Sequence, residues 1–209
     1  MRIIAGELKS RAVKAPEGAG TRPTSDRVRE SIFNILASLL SRQDMPFGSF
    51  ALALDLFAGS GALAFEALSR GVPRAVLVEA DREAQETIRT NARSLGVTGR
   101  VDLERYRTAH YLKRLQEAGQ AKQPEPGAAP WLIFADPPYA ETDYDALLAL
   151  LDSPVSIPPG SIAVIEHSAR NGPDPDRRWT RLEPVSEHAW GDTRVRVYRY
   201  RADGEGKHP

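Results

Sequence analysis

Asp55-Leu56-Phe57-Ala58-Gly59-Ser60-Gly61-Ala62-Leu63-Ala64 joins two stretches of different periodicity. Ahead of it, Ala51 to Leu54 is a short apolar run that reads as a buried strand. After it, Leu63 to Ser69 reads as a helix. Gly59, Gly61 and Ala64 form G-x-G-x-x-A, a turn that lets a ligand approach backbone at a helix start. Free N–H groups at such a start can meet a polar or charged ligand. Chains also use glycine wherever a turn needs it, so this stretch alone names no ligand.

Downstream, apolar runs alternate with helical patterns. Strands are expected at Ala75–Glu79, Arg100–Leu103, Trp131–Ala135 and Ser161–Glu166, with helices at Arg82–Leu95, Ala109–Ala118 and Asp143–Leu151. Gly119 to Pro130, with three prolines and Gly127, reads as a loop. The alternation implies a parallel, doubly wound α/β sheet with helices on both faces. The last two strands, Arg181–Val185 and Arg194–Tyr200, have no helix between them, so they should close the seven-stranded sheet as an antiparallel hairpin. Residues 202–209 read as a disordered tail.

Upstream, residues 1–21 differ from the rest. Arg2, Lys9, Arg11, Lys14 and, just beyond, Arg22 sit among glycines and prolines with few acids. The segment is expected to be a basic extension, either a short β-hairpin or a solvated arm, and its cations suit phosphate contacts. A helix then starts near Thr24–Asp26, with Val28, Ile32, Ile35, Leu36 and Leu39 on its apolar face. Arg22, Arg27 and Arg29 surround its first turn, where cations oppose the helix dipole and so hint at an anionic partner.

Composition narrows the chemistry. The 209 residues are 41% hydrophobic, enough for a real core, and carry no net charge, so any nucleic-acid surface must be local. With no cysteine, disulfides, thiolate metal sites and cysteine nucleophiles are excluded. His110, His167, His188 and His208 lack metal-ligand spacing, so no metal is expected. No apolar run approaches membrane-spanning length and no signal peptide is evident, which makes a cytoplasmic protein without membrane contact the expectation.

Three features fall at carboxyl ends of strands, where a parallel sheet holds its ligand. Asp55 and the glycine turn end the first strand, Glu79 the second, and Asp136-Pro137-Pro138-Tyr139 the fourth. Glu79 suits the two hydroxyls of a ribose, in NAD or in S-adenosylmethionine (SAM). The acid before the glycines, in a loop this apolar, leans toward SAM. Two successive prolines aim their carbonyls rigidly beside a carboxylate and an aromatic ring. An exocyclic amine on a flat base finds there two acceptors and a ring on which to stack, worth typically about 1–3 kcal/mol.

These motifs resemble class I SAM-dependent methyltransferases that act on amines, and more narrowly the RsmD family of bacterial 16S rRNA guanine-N2 methyltransferases. The resemblance runs from Arg2-Ile3-Ile4-x-Gly6 through Arg22-Pro23-Thr24, Asp26-Arg27-Val28-Arg29-Glu30, the glycine turn, Glu66-Ala67-Leu68-Ser69-Arg70, Glu79-x-Asp81-Arg82 and Asp136-Pro137-Pro138-Tyr139 to Val197-Tyr198-Arg199-Tyr200. It implies a Rossmann-like domain over residues 22–201. It implies SAM held by Asp55, Phe57, Ala58, Gly59, Ser60, Gly61, Glu79, Ala80 and Asp136, and catalysis by Asp136, Pro137 and Tyr139. It further implies RNA held by Lys9, Arg11, Lys14, Arg22, Thr24, Arg27 and Arg29, with the 30S ribosomal subunit as partner and a monomeric enzyme. Two places depart from the pattern or lack a role. Arg105 to Ala109 holds no acid or amide for the adenine amino group, which leaves backbone groups or Tyr106. His167 follows a matching Glu166 without a derivable role. Three other readings stay open: an amine methyltransferase for DNA adenine or protein glutamine, a NAD-dependent oxidoreductase, and a non-catalytic RNA-binding module.

Overall fold

A computed structural model describes residues 1–16, 26–121, 125, 127–138, 142–153 and 156–201. The helices are α1 (Asp26–Ser41), α2 (Ala62–Ser69), α3 (Arg82–Leu95), α4 (Thr108–Ala121) and α5 (Tyr144–Asp152). The strands are β1 (Leu52–Asp55), β2 (Ala75–Val78), β3 (Val101–Glu104), β4 (Trp131–Ala135), β5 (Ile162–Ser168), β6 (Leu182–Trp190) and β7 (Thr193–Tyr200). They form one seven-stranded sheet in the order β3-β2-β1-β4-β5-β7-β6. The first five strands run parallel, and β7 pairs antiparallel with both β5 and β6. This is the Rossmann-like α/β architecture expected, with the terminal hairpin in place.

Local chemistry explains the boundaries. Asp81 caps α3 by accepting the Ala84 N–H at 2.9 Å, and Gly96 ends that helix in a left-handed conformation. Asp143 caps α5 in the same way through Ala146. The sheet divides the core into two layers. Ile3, Val13, Phe33, Leu36, Phe65 and Ile88 pack on one face, and Leu112, Tyr144, Leu148 and Tyr198 on the other.

Some boundaries differ from expectation. β6 extends to Trp190, well past Val185. It is the edge strand, so its polar residues Glu183 and Glu187 face water while its backbone pairs with β7 across an irregularity between Pro184 and Ser186. α4 continues to Ala121, into the stretch expected to be loop. In α1, Phe33 and Leu40 are fully buried, whereas Ile35 and Leu39 lie at the margin of the core.

The N-terminal segment is a small hairpin with one antiparallel bridge, Arg2 to Ala12, and it is docked rather than solvated. Ile3 and Val13 enter the core, and the buried Glu66 carboxylate accepts the N–H groups of Ile4 and Ala5 at 2.7 and 3.1 Å. A Cβ on Gly6, whose φ is +84°, would lie 1.8 Å from the Ser69 carbonyl oxygen, so only glycine fits against α2 there. The tail and residues 17–25 lie outside the described residues. Among the described residues, no helix is long and apolar enough to cross a membrane.

Candidate active site

In the order β2-β1-β4 the sheet changes winding direction between β1 and β4, the place where open α/β sheets bind ligands. Asp55 is the last residue of β1, and Asp136 immediately follows β4. The glycine turn and Glu79 close the same rim.

Asp55 is 1% exposed. Its carboxyl is pushed up to about 7, first by burial, then by repulsion from Asp136, with a smaller push from Glu79. The backbone amides of Phe57 and Ala64 act against that push by stabilising the charged form. Glu79, half-buried, accepts the Gly59 N–H and the Asp81 N–H, each at 2.8 Å. The Gly61 N–H is bonded to the Ala58 carbonyl at 2.6 Å. The N–H groups of both turn glycines are thus committed inside the protein. These two glycines therefore contribute shape rather than donors. Both glycines have positive φ, +53° at Gly59 and +80° at Gly61. At Gly61 a Cβ would also come within 2.5 Å of the Phe65 ring.

Two side chains that the sequence reading passed over hold this loop. Thr108, at the start of α4, donates its hydroxyl to the Leu56 carbonyl. Asn91, buried in α3, donates Nδ2 to the Ser60 carbonyl at 2.9 Å. A signal existed for Asn91, because asparagine is disfavoured in a helix interior unless its amide has partners.

On the opposite rim, Asp136 is half-buried, Pro137 buried and Pro138 exposed. The Thr142 hydroxyl fixes the Pro138 carbonyl at 2.7 Å. Tyr139 lies outside the described residues. Tyr144, the first residue of α5, is buried next to Asp136 and Glu166, and its phenol is raised mainly by burial and then by those carboxylates. His167 meets the Tyr144 ring edge-on, with centroids 5.8 Å apart, and its Nδ1 lies 3.0 Å from the Ser168 carbonyl. Burial lowers its pKa, and the ring packs between β5 and α5.

The structure therefore brings Asp55, Gly59, Glu79 and Asp136 together at one rim of the sheet, with Phe57, Ala58, Ser60 and Gly61 in the same turn, Ala80 next to Glu79 and Pro137 next to Asp136. Beside it, Tyr106 stacks on His110 at 5.1 Å with the Arg114 guanidinium 4.9 Å from the ring, so one face of that aromatic is taken. Lys9, Arg11, Lys14 and Arg27 are exposed. Arg22 and Thr24 lie outside the described residues.

Arg29 is a correction. Expected among the phosphate contacts, it is 1% exposed. Its guanidinium pairs with Asp26 at 3.1 Å and donates to the Arg2 carbonyl. The anionic partner that its place in the first turn of α1 called for is inside the chain, and its work is to clamp the arm.

The crevice suits a cationic ligand. Asp136 and Glu79 both repel the Asp55 carboxylate, and an ammonium or sulfonium placed beside it relieves that repulsion. SAM carries both cations and a ribose for Glu79, so these residues fit it. A pyrophosphate would add to the repulsion and find the Gly59 and Gly61 N–H groups already used.

Comparison with known proteins agrees with this geometry. The sequence model of a family described as Conserved hypothetical protein 95 matches residues 1–199. YlbH of Bacillus subtilis, named as a candidate rRNA methyltransferase, is 35% identical over 207 residues, which cover 96% of this chain and all of YlbH. The Ribosomal RNA small subunit methyltransferase D of Escherichia coli is 30% identical over 206 residues, 98% of this chain and 92% of that protein. The solved structure of the E. coli candidate methyltransferase yhhF superposes with a TM-score of 0.71 at 27% identity, covering 97% of this chain and 99% of that one. A Salinibacter ruber RNA methyltransferase, solved with S-adenosyl-L-homocysteine, shares the fold with a TM-score of 0.53 at 16% identity, over 89% of this chain and 98% of that one. The chain belongs to the Conserved hypothetical protein 95 family, which is the RsmD family of rRNA methyltransferases.

Proposed function

We propose that the protein transfers a methyl group from SAM to the exocyclic N2 amine of a guanine in 16S rRNA, within the assembled 30S subunit. The observation that carries the reading is the group of acids at the carboxyl ends of adjacent strands: Asp55 within electrostatic reach of Asp136 and Glu79, beside a glycine turn whose own N–H groups are bonded. The family match and the name of the E. coli relative support an rRNA substrate.

SAM, when bound, supplies an electrophilic methyl group on a sulfonium. The protein's main task is then to position the acceptor, since the displacement creates no new charge and only moves the positive charge from sulfur to N2. The guanine N2 lone pair is delocalised into the ring and is a poor nucleophile. Asp136 and the Pro137 carbonyl accept its two hydrogens and turn the amine toward the methyl group. Asp55 and Glu79 would hold SAM so that its methyl group could pass to N2, the sulfonium becoming a neutral thioether. Asp136, directly or through water, takes the proton that leaves N2. Tyr139 stacks on the base, which must first be extruded from the folded RNA at a cost of a few kcal/mol. Lys9, Arg11, Lys14, Arg22, Thr24 and Arg27 hold the surrounding backbone.

The test is purified protein with labelled SAM, offered naked 16S rRNA, unmodified small subunits, and DNA. Label on N2 of a guanine in the small subunits is the expected result. Label on DNA adenine, or none on any RNA, would overturn the assignment. A nicotinamide cofactor bound in place of SAM would restore the oxidoreductase reading.

A further inference from the structure

The arm proposed to hold RNA and the turn proposed to hold SAM meet at one side chain. Asn91 is buried in α3, and each polar atom of its carboxamide is used. Oδ1 accepts the Lys14 N–H at 2.9 Å, while Nδ2 donates to the Lys14 carbonyl at 3.0 Å and to the Ser60 carbonyl at 2.9 Å. Lys14 is thus gripped at both backbone atoms, as a neighbouring strand would grip it. The other hydrogen of the same planar amide holds the residue between the two positive-φ glycines. Ser60 is half-buried and flanked by residues without side chains, so its peptide depends on this contact for its setting.

Other contacts pin the start of the arm. Glu66 holds Ile4 and Ala5, Ser69 holds Leu8, and Arg29 holds Arg2. Only Asn91 links the arm's far end directly to the cofactor turn among the described contacts. Because the carboxamide is rigid, a shift of Lys14 turns its plane and carries the Ser60 carbonyl with it. An arm held by phosphates therefore fixes the turn, and a filled turn fixes the arm.

We propose that Asn91 is a positioning residue that couples the two sites, so that RNA held on Lys9, Arg11 and Lys14 tightens the binding of the methyl donor. By linkage, the donor tightens RNA binding by the same factor. The inference rests on the SAM and RNA reading above. It differs from a purely structural role, which would lower stability and both affinities while leaving their mutual effect unchanged.

The test measures the affinity of S-adenosylhomocysteine with and without unmodified small ribosomal subunits, and the affinity of the subunits with and without S-adenosylhomocysteine. In the wild type each ligand should improve the other's affinity by about 5-fold or more. Asn91→Asp keeps the acceptor for Lys14 but loses both donations, and Asn91→Ala loses all three bonds. In each, the mutual effect should fall toward one. A wild type that binds both ligands independently, or an Asn91→Asp variant with wild-type coupling, overturns the inference and leaves the proposed function standing. A wild type that binds neither ligand overturns both. Should the variants unfold, hydrogen exchange at Ser60 and Gly61 in the wild type decides: slower exchange on adding subunits is expected, and an unchanged rate overturns the coupling.

Discussion

Asp55 and Asp136 divide the labour at the crevice by their surroundings. Asp136 is half-buried beside the acceptor's expected place, so Asp136→Ala should lose methyl transfer far more than it weakens SAM binding. Equilibrium binding and single-turnover assays check this, and near-normal turnover would end the assignment. Asp55, buried and repelled by its neighbours, carries a pH signature. Its pKa rises on folding from 3.8 to about 7, so its protonated form stabilises the ligand-free fold. That contribution is complete below pH 4 and is lost as the pH climbs through 7. At about 1.36 kcal/mol per pH unit the loss reaches at most about 4 kcal/mol. Ligand-free Asp55→Asn should therefore gain stability over the wild type at pH 8 and gain little at pH 5, measured by denaturant unfolding. Equal differences at both pH values would contradict the buried-acid account. Binding of S-adenosylhomocysteine, which carries an ammonium, should run the other way and tighten from pH 6 to pH 8 as Asp55 ionises.

At the level of elements, the arm and α2 behave as one unit. Glu66 is fully buried and serves Ile4, Ala5 and Arg70 at once, so Glu66→Ala leaves two backbone N–H groups and a guanidinium without their acceptor. A loss of about 2–4 kcal/mol is expected, with fast hydrogen exchange spreading from Ile4 to Val13. Loss of stability without faster exchange in the arm would place the effect elsewhere. Neutralising Lys9, Arg11 and Lys14 together should weaken RNA binding and flatten its salt dependence by about two logarithmic units per tenfold salt, measured by filter binding across salt. An affinity unchanged at every salt concentration would remove the arm from the interface. Much of this level was legible in the chain. Periodicity and the Gly, Pro and Asp boundaries set α3 at Arg82–Leu95 and β4 at Trp131–Ala135 without error. The docking of the arm was not, because Glu66 and Ser69 look like surface polar residues until residues 61 or 62 positions away arrive to use them. Arg29 misled for the same reason: a cation in a first turn says that it needs an anion or a carbonyl, and does not say on which molecule.

For the whole molecule, the sheet order explains why a handful of short motifs was enough to find the site. A parallel sheet collects the ends of its strands on one edge, so Asp55, Glu79 and Asp136, spread over 82 positions of sequence, share a rim. Sequence order reveals such a rim because the fold is regular. The setting of Tyr106 against His110, and of His167 against Tyr144, depends on side-chain packing that no local pattern encodes. The zero net charge places the whole burden of phosphate attraction on a few local cations, which makes the arm's attachment consequential. That attachment also sets an order of events during synthesis. Ile4 and Ala5 wait for Glu66, Lys14 waits for Asn91, and Glu7 waits for Arg100. The arm is therefore among the parts that settle late, since contacts of long sequence separation form only after their partners exist. Until Glu66, Asn91 and Arg100 have been made, the arm is an undocked basic strand, open to the same class of polymer on which the folded protein is proposed to act.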